Sequence, residues 1–341
     1  MMTNYEPPFH VTDCITVLVG EISERVGAIT VLSEKKGNPR LRRENLIRTI
    51  HSSLAIEGNS LSLAQTTAIL DGKRVLGTVQ EIREVRNAGL AYELLTEADP
   101  FSVDDVLRVH DRMMNGLVTE SGRFRSGGVG VFSGNVVVHT APPADLVPQH
   151  ISDLLRWYQE SNLHPLIKSA IFHYEFEFIH PFADGNGRVG RLWHSLLLGQ
   201  WKELFFWLPV EELIQSRQQD YYRAFVVAGK EGDSSNFVEL MLEIIRDSLT
   251  EVDVLGRSTD QDTDQDTDQD GVVHDWKIQQ LLSVLSDKTL SAAEIMDLLG
   301  LSHRASFREG YLMPALRLGL IERTIPDKPT SRNQRYRKSR S

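Results

Sequence analysis

Residues 180–191 read His-Pro-Phe-Ala-Asp-Gly-Asn-Gly-Arg-Val-Gly-Arg, and this stretch joins two apolar segments. Segment 166–178 before it shows the apolar spacing of a helix, and segment 192–198 after it is typical of a buried helix. Residues 184–187 are poor helix formers, so we predict that they form a loop. The sequence therefore predicts a helix, a glycine-rich loop and a second helix.

The residue types of this loop are suited to phosphate. Gly185 and Gly187 allow backbone N–H groups to turn inward and form a concave anion site, and the next helix directs its positive N-terminal end to the same place. Arg188 and Arg191 are three residues apart, so they can share one helix face and bind charged oxygens. We expect the loop to bind a nucleotide triphosphate.

Two further side chains add chemistry to this expectation. Asp184 supplies a carboxylate, and Mg²⁺ is commonly held by one or two carboxylates together with phosphate oxygens. His180 stands just before the loop and can act as a general base near neutral pH. The stretch thus provides for a nucleotide, a metal ion and a base.

The stretch resembles the Fic-domain signature, His-x-Phe-x-Asp/Glu-Gly-Asn-Gly-Arg-x-x-Arg, at every fixed position. The resemblance implies a mainly α fold, an all-helical core with a β-hairpin flap. It implies a protein adenylyltransferase that transfers AMP from ATP, with Mg²⁺, to a Ser, Thr or Tyr hydroxyl of a target protein and to itself. His180 would be the catalytic base and Asp184 the metal ligand. The nucleotide-binding residues would be Asp184, Gly185, Asn186, Gly187, Arg188, Val189, Gly190 and Arg191.

A second motif lies upstream in segment 53–58, Ser-Leu-Ala-Ile-Glu-Gly, which resembles the Fic inhibitory motif Ser/Thr-x-x-x-Glu-Gly/Asn. It ends a predicted helix, about 41–58, in which Ser53 and Glu57 face the same side and Gly58 provides a stop. A glutamate at a helix C-terminus is disfavoured by the helix dipole and needs a cation. The resemblance implies that this cation is Arg191 and that Glu57 inhibits the enzyme.

The clearest β signal in residues 96–250 is a hairpin, with β-branched runs at 128–132 and 136–140 around a three-residue turn. By resemblance this hairpin is the Fic flap, along which a target protein docks. Its residues Val137, Val138, His139 and Thr140 would border the nucleotide. The helical pattern that follows the second predicted helix carries Tyr221, and in the family a tyrosine in this region flanks the adenine.

Composition limits the class of protein. The chain has 341 residues, 41% of them hydrophobic, and a single cysteine, Cys14, which excludes an internal disulfide. The N-terminus has no secretory signal pattern, and no apolar run reaches the ~18 residues of a membrane span. We therefore expect a cytoplasmic protein without membrane partners. The net charge of −10 argues against a protein that coats nucleic acid along its whole length.

We divide the chain into an N-terminal helical region (1–95), a core (96–250), an acidic linker (251–272) and a C-terminal domain (273–341). Three Thr-Asp-Gln-Asp units at 259–270 carry no apolar residue and indicate a solvated linker. The C-terminal pattern of three helices followed by a strand resembles a winged helix. Residues 303–341 hold ten Lys or Arg against three Asp or Glu, so this domain could bind DNA, or it could form a homodimer or dock a target.

Three other functions remain open on the sequence alone. The same fold could use Glu57 to activate water and remove AMP from a modified target. A different phosphate-containing group could be transferred, because the residues that would select adenine are poorly marked. The chain could also be a DNA-binding regulator in which the nucleotide site serves as a sensor.

Overall fold

The structure is a computed structural model of the whole chain. It describes residues 5–35, 39–128, 130–133, 136–260, 276–285, 289–299, 307–325 and 334–339. The chain divides into two compact units, residues 1–263 and 264–341. In the described residues no helix is both long and apolar enough to cross a membrane.

The first unit is helical apart from one hairpin. Its helices are α1 (Asp13–Lys35), α2 (Pro39–Ile56), α3 (Leu63–Leu70), α4 (Val79–Tyr92), α5 (Val103–Met114), α6 (Val147–Glu160), α7 (Pro165–Ile179), α8 (Asn186–Trp201), α9 (Val210–Ser216), α10 (Gln218–Glu231) and α11 (Ser235–Asp260). Short 3₁₀ turns lie at Glu93–Thr96, Ala144–Leu146 and Glu203–Phe206.

Helices α7 and α8 form the centre of this unit. Most of their residues are buried, and these include polar side chains such as Arg188 and Arg191 beside the apolar ones. One hydrophobic cluster on α7 includes Ile171 and packs with α1 and α11, while another includes Phe172 and Trp193 and packs with α4, α5 and α6. The loop between α7 and α8 is therefore held by two rigid, buried elements.

Local signals in the sequence explain where several helices begin. Ser62 caps α3 and Thr78 caps α4, each in a reciprocal pair with a Gln or Glu three residues later. Ser102 is the N-cap of α5, because its hydroxyl accepts a hydrogen bond from the Asp105 N–H at 3.2 Å. These caps fix the register of the helices that surround α7 and α8.

The segment before α1 is extended and crosses the helical body, as the prolines at its start predict. The Tyr5 hydroxyl donates to Glu175 Oε2 at 2.6 Å, and the Pro8 carbonyl accepts from the Ser234 N–H at 2.9 Å. Burial, followed by the charge of Glu175, raises the pKa of Tyr5, so its hydroxyl stays a donor. This strap ties α7 to the start of α11.

The predicted hairpin is present as two antiparallel strands, β1 (Gly130–Ser133) and β2 (Val136–Thr140). Gly130 pairs with Thr140 and Phe132 with Val137, and a bulge at Val138 shifts the register between these pairs. In the described residues no third strand pairs with either of them. Each strand therefore keeps an open edge, and β2 runs next to α10.

The second unit has the order helix, strand, helix, helix, strand, strand that defines a winged helix. It contains α12 (Trp276–Leu285), β3 (Leu290–Ser291), α13 (Ala292–Leu298), a π-turn (Arg308–Leu312) that runs into α14 (Met313–Arg317), β4 (Ile321–Arg323) and β5 (Arg335–Lys338). The sheet order is β3-β5-β4, with antiparallel pairs. The fold class predicted from the sequence is thus confirmed in both units.

Several predicted boundaries were wrong. The pattern at 211–229 is two helices, α9 and α10, separated at Arg217, and the sequence analysis missed α1 and α6. Asn186 and Gly187 were placed in a loop, but they form the first turn of α8, because Gly185 takes a left-handed conformation (φ +87°) just before it. Most of the acidic repeat, from residue 261 onward, lies outside the described residues.

Phe172 tests how far stability depends on the central helices. Its ring is fully buried, so we expect Phe172→Ala to lower the free energy of unfolding by about 3–5 kcal/mol, measured by denaturant titration. Leu76, 90% exposed, is the matched control, and Leu76→Ala should change it by less than about 0.5 kcal/mol. Equal effects of the two substitutions would contradict this description of the core.

Candidate active site

His180 stands at the junction of α7 and the loop, in the left-handed backbone region. Its φ of +51° is the only positive φ of a non-glycine residue in the described part of the chain. The His180 N–H donates to the Phe176 carbonyl at 3.0 Å and closes α7. The Nδ1 atom lies 3.3 Å from the Glu177 carbonyl, which can only accept, so Nδ1 carries the proton. This tautomer makes Nε2 the basic nitrogen, as a general base requires.

The backbone of the loop is fixed by side chains buried beneath it. Asn186 is buried, and its amide bonds both backbone groups of Phe182, accepting from the N–H at 2.8 Å and donating to the carbonyl at 2.9 Å. Because its side chain bonds Phe182, the predicted contribution of Asn186 to nucleotide binding would fall to its backbone N–H. Asn186 offers its backbone N–H to an anion, and its side chain holds the loop.

A second support comes from His110 on α5, which the sequence analysis did not single out. Its Nδ1 accepts from the Gly122 N–H at 3.0 Å, so Nε2 carries the proton and donates to the Asp184 carbonyl at 3.1 Å. The ring stacks on Phe182 with centroids 3.7 Å apart. Burial lowers the pKa of His110 to about 4, which keeps the imidazole neutral. Phe182 is fully buried and anchors the loop, as predicted.

The N-terminal end of α8 offers an unfilled set of donors. Its N-cap, Gly185, provides no side-chain hydrogen bond, so the N–H groups of the first turn are left without intrahelical acceptors. The Gly185 N–H donates to Asp184 Oδ1 at 2.6 Å, and Arg188 Nη2 reaches the same oxygen at 3.1 Å. Arg188 is buried, and its Nε has no hydrogen-bond acceptor in the described residues. These donors fit the oxygens of a phosphate chain.

Asp184 fits a metal that arrives with a nucleotide. Its side chain is 61% exposed, while the described residues hold no cluster of three or more His, Cys, Asp or Glu that could bind a metal alone. A single carboxylate beside a phosphate site is the arrangement that suits Mg²⁺, which retains water and shares phosphate oxygens.

The predicted ion pair between Arg191 and Glu57 is present. Arg191 Nη2 donates to Glu57 Oε1 at 2.8 Å and to the Ser53 carbonyl at 2.9 Å, and its Nε donates to the Ser53 hydroxyl at 3.1 Å. Burial alone would raise the pKa of Glu57, but the charge and hydrogen bond of Arg191 outweigh it and lower the pKa below its usual range. Glu57 is therefore an ionised partner of Arg191.

The Glu57 carboxylate also lies directly on the backbone of the first turn of α8. A Cβ atom on Gly187 would collide with Glu57 Oε1, so the carboxylate can approach this closely because residue 187 is a glycine. Helix α2 is held in this position at its C-terminal end, where the Ile56 carbonyl accepts from Gln218 Nε2 at 2.9 Å. The end of the predicted inhibitory helix thus occupies the mouth of the anion site.

Two more buried carboxyl groups surround Arg191, and the sequence analysis missed both. Glu177 Oε1 is buried without a hydrogen-bond partner in the described residues, and burial raises the pKa of Glu177 to about 8. Burial raises the pKa of Glu211 to about 7, and its Oε1 accepts from Ser195 at 3.2 Å. No local sequence pattern identifies Glu177 or Glu211 as neighbours of Arg191, because these contacts form only when the chain folds.

Two neighbouring tyrosines of α10, Tyr221 and Tyr222, differ in exposure. Tyr221 is only 4% exposed, and its hydroxyl bonds His173 Nε2 at 2.8 Å in the core. Tyr222 is 42% exposed, and the charge of Glu57 helps to raise its pKa after the larger effect of burial. The nucleotide-binding role of Tyr221 stays a prediction, and Tyr222 is the more exposed ring of the two. The predicted flap residues 137–140 lie on β2, next to this helix.

The loop between α7 and α8 brings together a histidine, a helix N-terminus without a side-chain cap and two buried arginines, and this set of groups fits a ligand that contains phosphate. Residues 100–198 match the family model Fic/DOC, and residues 276–339 match the model of the Fic-like C-terminal domain. A crystal structure of a Fic family protein from Desulfovibrio desulfuricans is 51% identical, with 99% of each chain covered and a TM-score of 0.72. The chain belongs to the Fic family.

Two curated relatives are similar over part of the chain. The match to protein adenylyltransferase fic-1 of Caenorhabditis elegans is 33% identical over 211 residues, and that to protein adenylyltransferase Fic of Drosophila willistoni is 31% identical over 220 residues. They cover 58% and 62% of this chain, but the chain spans only about two fifths of either relative, 39% and 42%.

Glu211 gives a test of the buried acids. Its pKa of about 7 in the folded protein exceeds the value of about 4.5 expected when unfolded, so the folded state binds the proton more tightly. The free energy of unfolding should therefore fall as the pH rises from about 5 to 8. In Glu211→Gln this fall should be smaller by roughly 2–3 kcal/mol, measured by urea titration at several pH values. Parallel curves for variant and wild type would rule out a protonated Glu211.

Proposed function

We propose that this chain is a protein adenylyltransferase, which transfers AMP from ATP to a hydroxyl side chain of a target protein. The observation that carries the proposal is the joint placement of a base, His180, and of the donors at the start of α8 on one loop. The names of the curated relatives support the same activity.

Each residue of the site has a separate role in the proposed reaction. Nε2 of His180 takes the proton from the acceptor hydroxyl, whose oxygen attacks the α-phosphorus while pyrophosphate leaves in line. Backbone N–H groups in the first turn of α8 bind the α-phosphate oxygens, and Arg188 and Arg191 bind the outer phosphates. Asp184 would hold Mg²⁺, which offsets charge on the leaving group when bound. Tyr222, in place of Tyr221, would stack on the base.

The acceptor is proposed to be an extended segment of a protein. Strands β1 and β2 form a two-stranded sheet with open edges beside the site, and such an edge can pair with an incoming strand.

Docking of a target protein along the flap, formation of a homodimer and binding of DNA by the C-terminal unit stay predictions. In that unit Arg335 lies 3.3 Å from Glu294 and Arg337 lies 2.5 Å from Glu322, so part of its positive charge is already balanced.

We infer that Glu57 holds the enzyme in an inhibited state. Its carboxylate occupies Arg191 and covers Gly187, the positions that the γ-phosphate of a productively bound ATP would need. The removal of AMP from a target, with Glu57 activating water, is the alternative. Burial would raise the pKa of Glu57, but the charge and hydrogen bond of Arg191 outweigh burial and lower it, so this carboxylate is a weak base, which favours the inhibitory role.

The inhibitory role predicts a gain of activity. Glu57→Gly should raise self-labelling from ATP that is labelled at the α-phosphate by about 10–100-fold, because a competitor worth about 1.4–2.8 kcal/mol is removed. The double variant Glu57→Gly/His180→Ala should lose the label. Glu203→Gly, which removes an exposed carboxylate paired with Arg42, is the matched control and should label like wild type. Unchanged labelling in Glu57→Gly would contradict the inhibitory role of Glu57.

The metal assignment predicts a separate loss. In the Glu57→Gly background, Asp184→Ala should lower Mg²⁺-dependent labelling by about 100-fold or more, since the ligand that orients the metal is gone. Its far-ultraviolet circular dichroism and thermal midpoint should stay close to those of the parent, because the Asp184 side chain is mostly exposed. If the variant labels at the parental rate with the same Mg²⁺ dependence, Asp184 is not the ligand.

A further inference from the structure

Arg125, between α5 and β1, is buried at 3% exposure and reaches three segments of the chain at once. Its Nε donates to the His180 carbonyl at 2.7 Å, and its Nη1 donates to the Gly127 carbonyl at 2.9 Å. Its Nη2 donates to the Pro142 carbonyl at 2.6 Å and to that of Ile179 at 3.3 Å. One guanidinium thus serves four backbone acceptors.

This cation is stabilised without an acidic partner. In the described residues Arg125 forms no ion pair, and burial lowers its pKa, although a guanidinium keeps its charge under any ordinary condition. A buried charge is costly unless its donors are satisfied, and here the carbonyl dipoles satisfy them. The planar fork of arginine can reach several acceptors in fixed directions, whereas the point charge of a lysine can not hold them in the same geometry.

The four acceptors mark the ends of two functional elements. Gly127 lies three residues before β1 and Pro142 lies two residues after β2, so they are the two roots of the flap. Ile179 and His180 form the end of α7, where the backbone turns into the left-handed region. The Arg125 N–H adds a bond to the Pro181 carbonyl at 3.0 Å. Both roots of the flap are therefore tied to the backbone of the proposed base.

We propose that Arg125 is a positioning residue that sets the flap against His180, so that a hydroxyl presented along the flap lies within reach of the base. The proposal rests on the proposed function. It concerns the acceptor side of the reaction, because the four carbonyls lie outside the nucleotide loop 184–191. Arg125 should therefore govern transfer to protein much more than binding of ATP.

The test compares Arg125→Gln and Arg125→Lys in the full chain that carries Glu57→Gly. The probes are ATP labelled at the α-phosphate and amide hydrogen exchange of residues 126–142. In Arg125→Gln we expect kcat for self-labelling to fall by about 100-fold with KM for ATP within about twofold. Amide exchange of the flap should accelerate by about tenfold or more, while that of α7 and α8 stays slow. Arg125→Lys should be intermediate in both.

Arg156, an exposed arginine of α6 paired with Asp153, provides the matched control, and Arg156→Gln should leave both readouts unchanged. If amide exchange of the flap in Arg125→Gln is as slow as in the parent, the proposal is overturned. It is also overturned if the variant loses ATP binding and exchanges faster throughout the core, because that result indicates a purely structural role. Hydrogen exchange needs no activity. If the Glu57→Gly parent itself fails to label, the proposed function fails, while the exchange of Arg125→Gln still decides whether Arg125 holds the flap.

Discussion

The buried guanidinium of Arg191 is the charge around which the first unit is arranged. At 2% side-chain exposure it would be very costly without partners, and α2 supplies them through the hydroxyl and carbonyl of Ser53 and the carboxylate of Glu57. The pair links two helices that are about 130 residues apart in sequence. In the proposed function the same cation binds phosphate, so the contact that satisfies Arg191 in this structure would be the one that a nucleotide has to displace.

The acids near Arg191 differ in their ionisation, and this difference explains why Glu57 is its ionic partner. One cation faces the carboxyl groups of Glu57, Glu177 and Glu211, and they do not all ionise together in a buried region. Glu57 takes the charge, as its lowered pKa shows, while burial keeps the pKa of the other two near or above neutrality. A displaced Glu57 would leave Arg191 to the phosphates without exposing a second strong competitor.

The loop owes its rigidity to groups that do no chemistry. Asn186 and His110 hold it from below, through Phe182 and the Asp184 carbonyl, and Arg125 holds its start. Each uses side-chain donors and acceptors to satisfy backbone groups that the turn leaves unpaired. If the loop binds phosphate as proposed, it is already organised without the ligand, so little binding energy would be needed to order it.

The sequence by itself determined the helix–loop–helix, the hairpin, the winged-helix order and the pair Ser53–Glu57, because caps, apolar periodicity and the fixed spacing of a motif are all local properties of the chain. It also singled out His180 and Asp184 as candidates, because their chemistry is evident from residue type. Only the tertiary structure decided that Tyr221 is buried while Tyr222 is exposed, that the Asn186 side chain bonds Phe182, and that Arg125, His110, Glu177 and Glu211 lie around the loop and Arg191. Their positions depend on burial and on contacts between segments that are distant in sequence. Burial and such contacts produce no recognisable pattern in the amino-acid sequence.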